Sequence, residues 1–416
     1  MSSNCFLPAD ILIPQVEDLS KWAVIACDQF SSQPAYWERV RAYAGSEPST
    51  INLILPEAEL GTEQEAAHTA KINETMASYL KAGIFRTYAS SLVYVERELE
   101  SGAIRKGLVG MVDLEAYDYT QGSVSQIRAT EKTVVERIPP RMRVRRDAPM
   151  ELPHILMLAD DHDKVLIEPI SANKGRLKQL YSFELMEGGG HIAGWLVDGA
   201  EADAFNARLT AYSAAVGEKY RGLPGTPMVF AVGDGNHSLA TAKACYEELK
   251  AAHPGEDLSG HPARYALVEL ENIHDDAQAF APIHRIVTKT DPEKLLAALK
   301  ADACAADGFP VEWYCGKQHG TVFLNRSLSQ LAVGVLQGFL DSYLKKAPGE
   351  IDYIHGDSDL VELAQQDNAI GFLLPAMEKS QLFRGVIADG ILPRKTFSMG
   401  HAREKRYYLE GRTIIK

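Results

Sequence analysis

Apolar residues fall in short runs that are separated by polar turns along most of the chain. Residues 228–232 form one such run, which stops at Gly233, Asp234 and Gly235. Beyond them, apolar positions recur at the spacing of one helix face: Leu239, Ala242, Cys245 and Leu249. The pattern predicts a strand, a glycine-containing loop and a helix that starts near residue 238, with Asn236 or Ser238 as its cap.

The same patterning predicts elements elsewhere. Helices are expected at residues 34–45, 63–82 and 201–215, and strands at residues 22–30, 50–56, 91–99 and 106–117. Alternating apolar residues on both sides of Gly188, Gly189 and Gly190 indicate a hairpin and not a dinucleotide-binding loop. Because strands alternate with helices throughout, the predicted fold class is α+β (mixed α/β).

The length of the chain predicts more than one domain, because 416 residues exceed what one compact core usually accommodates. We predict an N-terminal mixed α/β domain at residues 1–120 and a central domain at residues 121–258 that contains the loop. A C-terminal α/β region is predicted at residues 259–416. The polar segment at residues 253–262 marks the last of these boundaries.

Composition narrows the possible partners and the compartment. The net charge of −13 disfavours nucleic acid as a partner, because the acidic protein and the phosphate backbone would repel each other. No apolar run approaches the roughly 18 residues needed to cross a membrane, and the first residues lack a secretion signal. Five scattered cysteines indicate reduced thiols and predict a cytoplasmic protein. Composition leaves the oligomeric state open.

Two charged segments need separate interpretation. The segment "RIPPRMRVRR" at residues 137–146 holds five arginines, and a solvated basic loop is favoured there over an anion-binding arm. Asp160, Asp161 and Asp163 surround His162 after an apolar run. An exposed acidic turn is favoured over a calcium loop, because the ligand spacing and bidentate glutamate of such a loop are missing. No metal site is therefore predicted from residues of the chain.

The loop at residues 234–238 carries the strongest chemical signal. Backbone N–H groups at a helix start attract phosphate, and Gly235 would let a phosphate approach the backbone. His237 suits a hydrogen bond to phosphate or proton transfer. Asp234 suits a hold on the loop's own N–H groups or on Mg²⁺. An ordinary capped turn remains an alternative, since the lysine of a P-loop is absent.

The segment "VGDGNHSLATAKA" resembles the strand, "DGHHR" and helix signature of a large uncharacterised bacterial family, DUF1015. Further segments resemble landmarks of that family in their usual order: "GLVGMVDLEAYD", "IRATEKT", "RYALVELENI", "APIHRIV", "EIDYIH" and "LPRKTF". The similarity covers nearly the whole chain.

The same signature is more distantly similar to the phosphate-binding loop of the ParB/sulfiredoxin superfamily, and in particular to the free serine kinases. This resemblance implies a central ParB/sulfiredoxin-like nucleotide-binding domain. It implies that Glu131 acts as general base on a substrate hydroxyl, together with His237. Residues Asp234, Gly235, Asn236, His237 and Ser238 would bind the phosphates. Substrate or accessory roles would fall to Arg128, Lys132, His284, Arg285, Lys395 and Thr396.

The chain departs from the kinase pattern at three positions. Asn236 replaces the first histidine of "DGHHR", Ser238 replaces its arginine, and Thr130 replaces the histidine before the glutamate. Loss of a guanidinium removes a strong charge-assisted donor from a phosphate site. For His284 and Arg285, bracing of a domain junction is favoured over a functional role.

Three functions follow as hypotheses. The first is a nucleotide-dependent phosphotransferase that uses ATP or ADP with Mg²⁺ and acts on a small hydroxyl compound, such as the free hydroxy amino acid serine. The second is a nucleotide-binding regulatory module without phosphoryl transfer. The third is a small-molecule binder in which the loop has no remaining role.

Overall fold

The computed structural model describes residues 4–25, 30, 33–56, 59, 62–152, 154–223, 227–304 and 307–416. Within these ranges the strands are Phe6–Leu7 (β1), Ala9–Pro14 (β2), Val24–Ile25 (β3), Phe85–Glu98 (β4), Ile104–Asp113 (β5), Tyr117–Asp118 (β6), Ile127–Ala129 (β7), Met150–Glu151 (β8), Leu156–Ala159 (β9), Gln179–Glu184 (β10), His191–Val197 (β11), Phe230–Asp234 (β12), Tyr265–Asn272 (β13), Phe280–Thr288 (β14), Phe309–Cys315 (β15), Gln318–Leu324 (β16), Glu350–His355 (β17), Ile370–Leu373 (β18), Phe397–Met399 (β19), Tyr407–Tyr408 (β20) and Arg412–Thr413 (β21).

The helices of the same ranges are Leu19–Trp22 (α1), Pro34–Ala44 (α2), Glu65–Lys81 (α3), Ile138–Arg146 (α4), Glu168–Asn173 (α5), Gly199–Lys219 (α6), Asn236–Ala252 (α7), Pro292–Ala301 (α8), Ala332–Tyr343 (α9), Asp357–Leu363 (α10) and Lys379–Asp389 (α11). The predicted mixed α/β class is confirmed.

Backbone contacts divide the chain into two compact units. The first unit comprises residues 1–129, 133–278 and 400–416, and the second comprises residues 130–132 and 279–399. This division differs from the three consecutive domains predicted above. The reason is that β4, β5, β12 and β13 all lie in one sheet, although they come from all three predicted segments.

The first unit is built on an eleven-stranded sheet whose main path is β10-β11-β4-β5-β13-β9-β12-β7-β6. Most neighbours are antiparallel, whereas three pairs are parallel: β12 with β7, β7 with β6, and β13 with β9. Residues on β4 alternate between two apolar clusters, with Leu92 and Tyr94 in one and Val93 and Val95 in the other. Apolar residues therefore cover both faces of the sheet, as a two-residue side-chain period requires.

A buried ionic network fixes the last residues of the chain within the first unit. Arg406 pairs with Glu269 at 2.9 Å and also with Glu410, and Arg105 pairs with Glu271 at 2.8 Å. A Cβ at Gly107 would lie 2.0 Å from the Glu269 carboxylate, so only glycine leaves room for it. This network explains why residues 400–416 belong with the central sheet, a long-range arrangement that local patterning does not reveal.

The second unit contains a six-stranded sheet in the order β16-β15-β18-β14-β17, with β19 also paired to β14. Its described neighbours on the main path are antiparallel. Ile286 of β14 and Leu360 of α10 lie in its apolar core.

Several local predictions can be compared with the described residues. The helix at 34–45 and the hairpin around Gly188 are present, the latter as β10 and β11. The strand predicted at 50–56 is wrong, because residues 50–52 form a 3-10 turn whose Ile51 N–H is bonded by Ser49. Of the strand predicted at 22–30 only β3 is seen, and Cys27 and Asp28 lie outside the described residues.

The charged segments differ from prediction as well. The arginine-rich segment is not a loop but helix α4, with two prolines in the first turn where their missing N–H groups cost little. Arg143, Arg145 and Arg146 pair with Glu65, Glu151 and Glu248 respectively. The predicted exposed acidic turn is present only in part: His162 and Asp163 are exposed, whereas Asp160 and Asp161 are both only 3% exposed. Lys219 and His274 each contact the Asp160 carboxylate at 2.6 Å and offset the cost of burying it.

Candidate functional site

The loop at residues 234–238 joins β12 to α7 in the first unit. Phe230, Ala231 and Val232 are fully buried, which explains the uninterrupted apolar run. Gly235 is the N-cap of α7, and its φ of 81° lies in the left-handed region. The predicted cap at Asn236 or Ser238 is wrong, because the helix begins at Asn236 and has no side-chain cap.

Glycine is required at position 235 for two reasons. Its backbone conformation is one that residues with a side chain rarely adopt. An added Cβ would also lie 3.0 Å from the Ile155 Cα, which is backbone and does not move aside easily. The Gly235 carbonyl accepts the Leu239 N–H at 3.0 Å and so closes the first helical turn. The sequence therefore specifies where the helix begins and leaves its first turn without a side-chain acceptor.

Asp234 holds the loop in place. Its carboxylate accepts the Gly235 N–H at 2.8 Å and pairs with Lys405 at 3.1 Å. Burial raises the pKa of Asp234, but the nearby Lys405 and His154 charges prevail and lower it from its ordinary value. These contacts are the ones expected if Asp234 holds the N–H groups of its own loop.

The side chains of His237 and Ser238 both contact the protein. His237 Nε2 accepts the Val134 N–H at 3.2 Å, which puts the ring proton on Nδ1 in this arrangement. Ser238 Oγ lies 3.3 Å from His154 Nε2, and His154 Nδ1 lies 2.6 Å from the Tyr408 hydroxyl. Asn236 Oδ1 is buried and has no hydrogen-bond partner within the described part of the chain.

Arg128 lies on β7, the parallel neighbour of β12. Its side chain is 2% exposed and its Nε donates to the Ser125 carbonyl at 2.9 Å. Burial lowers the pKa of this guanidinium. Through this contact, part of the guanidinium holds the end of its own strand.

The second unit contains Glu131. Its Oε1 accepts the Lys395 N–H at 3.0 Å, and the neighbouring Thr130 carbonyl accepts the Leu392 N–H at 2.8 Å. Lys132 is exposed. The family segments "IRATEKT" and "LPRKTF" are far apart in sequence. They meet here through one backbone contact and one contact between a side chain and the backbone.

Arg285 organises the same region of the second unit. It is fully buried and donates to the carbonyls of Ile283, Arg394 and Lys395 and to Gln337 Oε1, at 2.6, 3.0, 2.9 and 2.9 Å. Its guanidinium lies 4.7 Å from the Tyr353 ring centre, and the Arg394 Nε donates to the Tyr353 hydroxyl. Burial lowers the pKa of Arg285 to about 10, with Tyr353 and Glu131 opposing this. The family landmarks that contain Glu131, Arg285 and Tyr353 therefore all contact the turn at Arg394 and Lys395, which belongs to a fourth landmark.

His284 and Thr396 are held by the second unit itself. His284 is fully buried, its Nδ1 accepts the Leu374 N–H at 3.1 Å, and its Nε2 lies 2.9 Å from Asp357 Oδ1. Thr396 Oγ1 donates to the Pro393 carbonyl at 2.6 Å. These contacts fix His284 within the second unit, and its predicted role stays a prediction.

A pocket of about 180 Å³ lies in the first unit beside the start of α7. Its lining includes Ser238 and Thr241 of α7, Arg141 and Arg145 of α4, and His154 and Tyr408. Only Ser238 was predicted as a site residue. His154, Tyr408 and Lys405 could not have been found from local patterning, whereas the arginine-rich segment was a signal that pointed to this wall.

The sequence matches the family model described as "Protein of unknown function (DUF1015)" over residues 8–392. The chain belongs to this family. No curated protein matches this DUF1015 chain.

Several solved structures resemble the DUF1015 chain weakly. Free serine kinase in complex with AMP is 11% identical, with 72% of this chain and 90% of that chain covered and a TM-score of 0.35. A variant of that kinase in complex with ADP is also 11% identical, with 72% of this chain and 91% of that chain covered and a TM-score of 0.39. A conserved hypothetical protein from Pyrococcus furiosus is 12% identical, with 71% of this chain and 92% of that chain covered and a TM-score of 0.35. Likenesses this weak add nothing to the assignment of this chain's residues.

Two kinds of feature are absent from the residues that the structure describes. Those residues contain no group of three or more histidine, cysteine, aspartate or glutamate side chains suited to a metal ion. No helix among them combines the length and apolar character that a membrane span requires.

Proposed function

We propose that this DUF1015 protein is a nucleotide-dependent phosphotransferase that acts on a small hydroxyl compound, with a free hydroxy amino acid such as serine as the first substrate to test. The observation that carries the proposal is the start of α7, where a left-handed glycine leaves the first helical turn without a side-chain cap. Such an end favours a phosphate through its N–H groups and the helix dipole. The resemblance of this loop to a nucleotide-binding signature points the same way.

The phosphate-binding role is assigned to residues 234–238. Gly235 lets an anion approach the backbone, and Asp234 keeps the turn in shape through the Gly235 N–H. Asn236 presents a buried amide end that lacks a partner in the described chain. An asparagine amide offers either its oxygen or its NH₂ group to a partner, so this position suits a phosphate oxygen.

The general-base role of Glu131 rests on its motif. A carboxylate in this role needs a fixed orientation, and the Lys395 N–H supplies a hydrogen bond to one of its oxygens. Along the chain, Glu131 follows Ala129 by two residues, and Ala129 pairs with Val232 of β12. It also precedes Val134 by three residues, and the Val134 N–H donates to His237.

ATP or ADP would be the phosphate donor in this proposal, with Mg²⁺ as counter-ion. Mg²⁺ is commonly held by one or two carboxylates together with substrate phosphates. Asp234 is the carboxylate that the loop offers, although its pairing with Lys405 makes it a modest ligand. The four described cysteines are unpaired, and we place the activity in the cytoplasm.

A nucleotide-binding regulatory module without transfer is the second candidate. It is favoured by the contacts of the two groups to which chemistry is assigned. Glu131 accepts a backbone N–H, and so does His237. If both groups serve only to hold the fold, nucleotide binding would occur without turnover.

The test is phosphoryl transfer followed by ³¹P NMR, with ATP, ADP or CTP, Mg²⁺ and a panel of hydroxy amino acids. Transfer is expected to fall by about 10²-fold or more in Glu131→Gln, because a general base contributes roughly 10²–10⁴-fold. Glu136→Gln is the matched control, since Glu136 is exposed and only five residues away.

Two outcomes would redirect the proposal. Nucleotide binding without turnover in the wild-type protein supports the regulatory module. If no nucleotide raises the melting temperature at saturating concentration, both functions are contradicted, because a ligand that prefers the folded protein must stabilise it.

A further inference from the structure

The lining of the pocket beside α7 is apolar in part and polar in part. The apolar residues include Leu53, Met76, Met150 and Leu152. The polar residues include Thr241 and Ser238, and Ser238 lies 3.3 Å from His154, so the pocket and the proposed phosphate loop share Ser238. A ligand with an apolar part and an anionic part would therefore find both environments next to each other in the first unit.

The size of the pocket limits what it holds. Its volume is about 180 Å³. Sites for entire ligands usually measure about 300–1,000 Å³. The pocket therefore suits one ring system and not a complete nucleotide.

Two side chains of the lining favour a flat aromatic ring. Tyr408 presents an aromatic ring, and its hydroxyl is held by His154 at 2.6 Å. Arg141 is half-buried on α4, where its guanidinium donates to the Arg137 carbonyl at 2.9 Å, and the faces of guanidinium groups stack on aromatic rings. The other guanidinium of the lining, Arg145, is held by Glu151 at 2.6 Å. Nucleobases gain affinity from stacking on aromatic and guanidinium groups.

We infer that this pocket binds the purine base of a nucleotide whose phosphates lie at the start of α7. The inference rests on the proposed nucleotide-binding function and specifies which part of the ligand enters which part of the first unit. A purine presents the larger apolar faces of the two base types and needs few polar partners from the walls. The alternative occupant is the apolar part of a hydroxyl substrate, which the same experiment tests.

The experiment fills the pocket without altering the loop. Ala148 lines the pocket and is 3% exposed, so Ala148→Phe would place a ring in the space, while Ala148→Ser keeps it open. Binding of ADP, GDP, CDP and pyrophosphate is measured by calorimetry for the wild-type protein and both variants. Leu55→Phe, at a half-buried wall position, provides a second filler if Ala148→Phe unfolds.

The expected result is tighter binding of ADP and GDP than of CDP and pyrophosphate by the wild-type protein. Filling the pocket should weaken ADP and GDP by about tenfold or more, as loss of base stacking does, and leave pyrophosphate unchanged. Equal binding of all four ligands, or ADP binding that both fillers leave intact, overturns the base pocket but not the phosphate loop. Failure of every ligand to bind, pyrophosphate included, overturns the proposed function itself. If a hydroxy amino acid with a nonpolar side chain competes with ADP and adenosine does not, the pocket would be assigned to the substrate and not to the base.

Discussion

Two turns in this protein adopt a left-handed backbone but differ in the side chains that contact them. Gly235 begins α7 in the first unit with a φ of 81°, and Lys395 lies in a turn of the second unit with a φ of 56°. At Lys395 the backbone groups are used by the protein, since Arg285 binds its carbonyl and Glu131 accepts its N–H. At Gly235 the backbone N–H is bonded by Asp234 and the carbonyl by the Leu239 N–H, but the helix that follows has no side-chain cap. The turn at Lys395 is therefore closed on both sides by side chains, whereas α7 begins without such a cap, and the proposed function places its phosphate there.

The largest effect is expected from breaking the scaffold. Arg285→Lys cannot reproduce a planar fork that serves four acceptors, and buried carbonyls would lose their donors. We expect a loss of about 3–5 kcal/mol in the free energy of unfolding, measured by calorimetry. ADP affinity of the folded protein should stay within about twofold of wild type. The control is Arg394→Lys at the adjacent exposed position, with an expected loss below about 1 kcal/mol. Equal losses in both variants would contradict the scaffold role.

A second stability effect is expected from Glu271, a buried carboxylate of the ionic network described above. Burial, together with the nearby Glu269 charge and against that of Arg105, raises the pKa of Glu271 to about 7 from 4.5. Between these pH values the folded protein keeps a proton that the unfolded chain releases, so the stability contributed by this proton falls as pH rises. The contribution is full below about pH 4.5 and is lost by about pH 7, with a total of about 3 kcal/mol.

Glu271→Gln should remove this component of the pH dependence. The melting temperatures of wild type and variant at pH 5, 6, 7 and 8 provide the measurement, because other titrating groups cancel in the difference. Glu136→Gln serves as the exposed control. A wild-type minus variant difference that stays constant over this range would contradict the raised pKa.

The third prediction tests the loop. Gly235→Ala should cost about 2 kcal/mol through backbone strain and crowding against Ile155, and should weaken ADP binding at least tenfold. Gly255→Ala is the matched control, because Gly255 has a φ of 87° and open space around its Cβ position. We expect it to cost only the strain, about 1 kcal/mol, and to bind ADP normally. Equal ADP affinities of the two variants would place the nucleotide elsewhere.

The smallest effect is expected at Ser238. Its hydroxyl lies 3.3 Å from His154 Nε2, which is a long hydrogen bond at a half-buried position. Ser238→Ala should cost about 1 kcal/mol or less and weaken ADP binding about twofold, since the backbone N–H remains. Ser213→Ala, which removes a hydroxyl that donates to the Leu209 carbonyl on α6, is the control for ADP titration. A loss of ADP binding as large as that of Gly235→Ala would assign the phosphate contact to the hydroxyl.

Local patterning could predict the strand, loop and helix at 228–252 because burial periodicity is a local property. It could not predict that Gly235, and not Asn236 or Ser238, is the cap, since the choice depends on how closely Ile155 approaches. The landmarks around Glu131 and Lys395 were predicted as functional from their order along the chain. Only coordinates show that Arg285 uses its donors to hold that turn.

The pocket beside α7 was largely missed for a related reason. Tyr408 lines the pocket and Lys405 pairs with Asp234 of the neighbouring loop, because the buried ion pair between Arg406 and Glu269 holds residues 400–416 against the central sheet. Such pairing of distant charges has no signature in the sequence around either partner. The arginine-rich segment was predicted as a loop because its charge dominated the interpretation, although two prolines at its start are compatible with a helix.

The most direct test of phosphate binding at the start of α7 is the amide resonance of His237. Selective ¹⁵N labelling of the 12 histidines, with His237→Gln for assignment, would let ADP be titrated while that resonance is followed. The account predicts a saturable shift of the His237 amide with both ADP and pyrophosphate, and its loss in Gly235→Ala. An unmoved His237 amide at ADP concentrations that raise the melting temperature would contradict it.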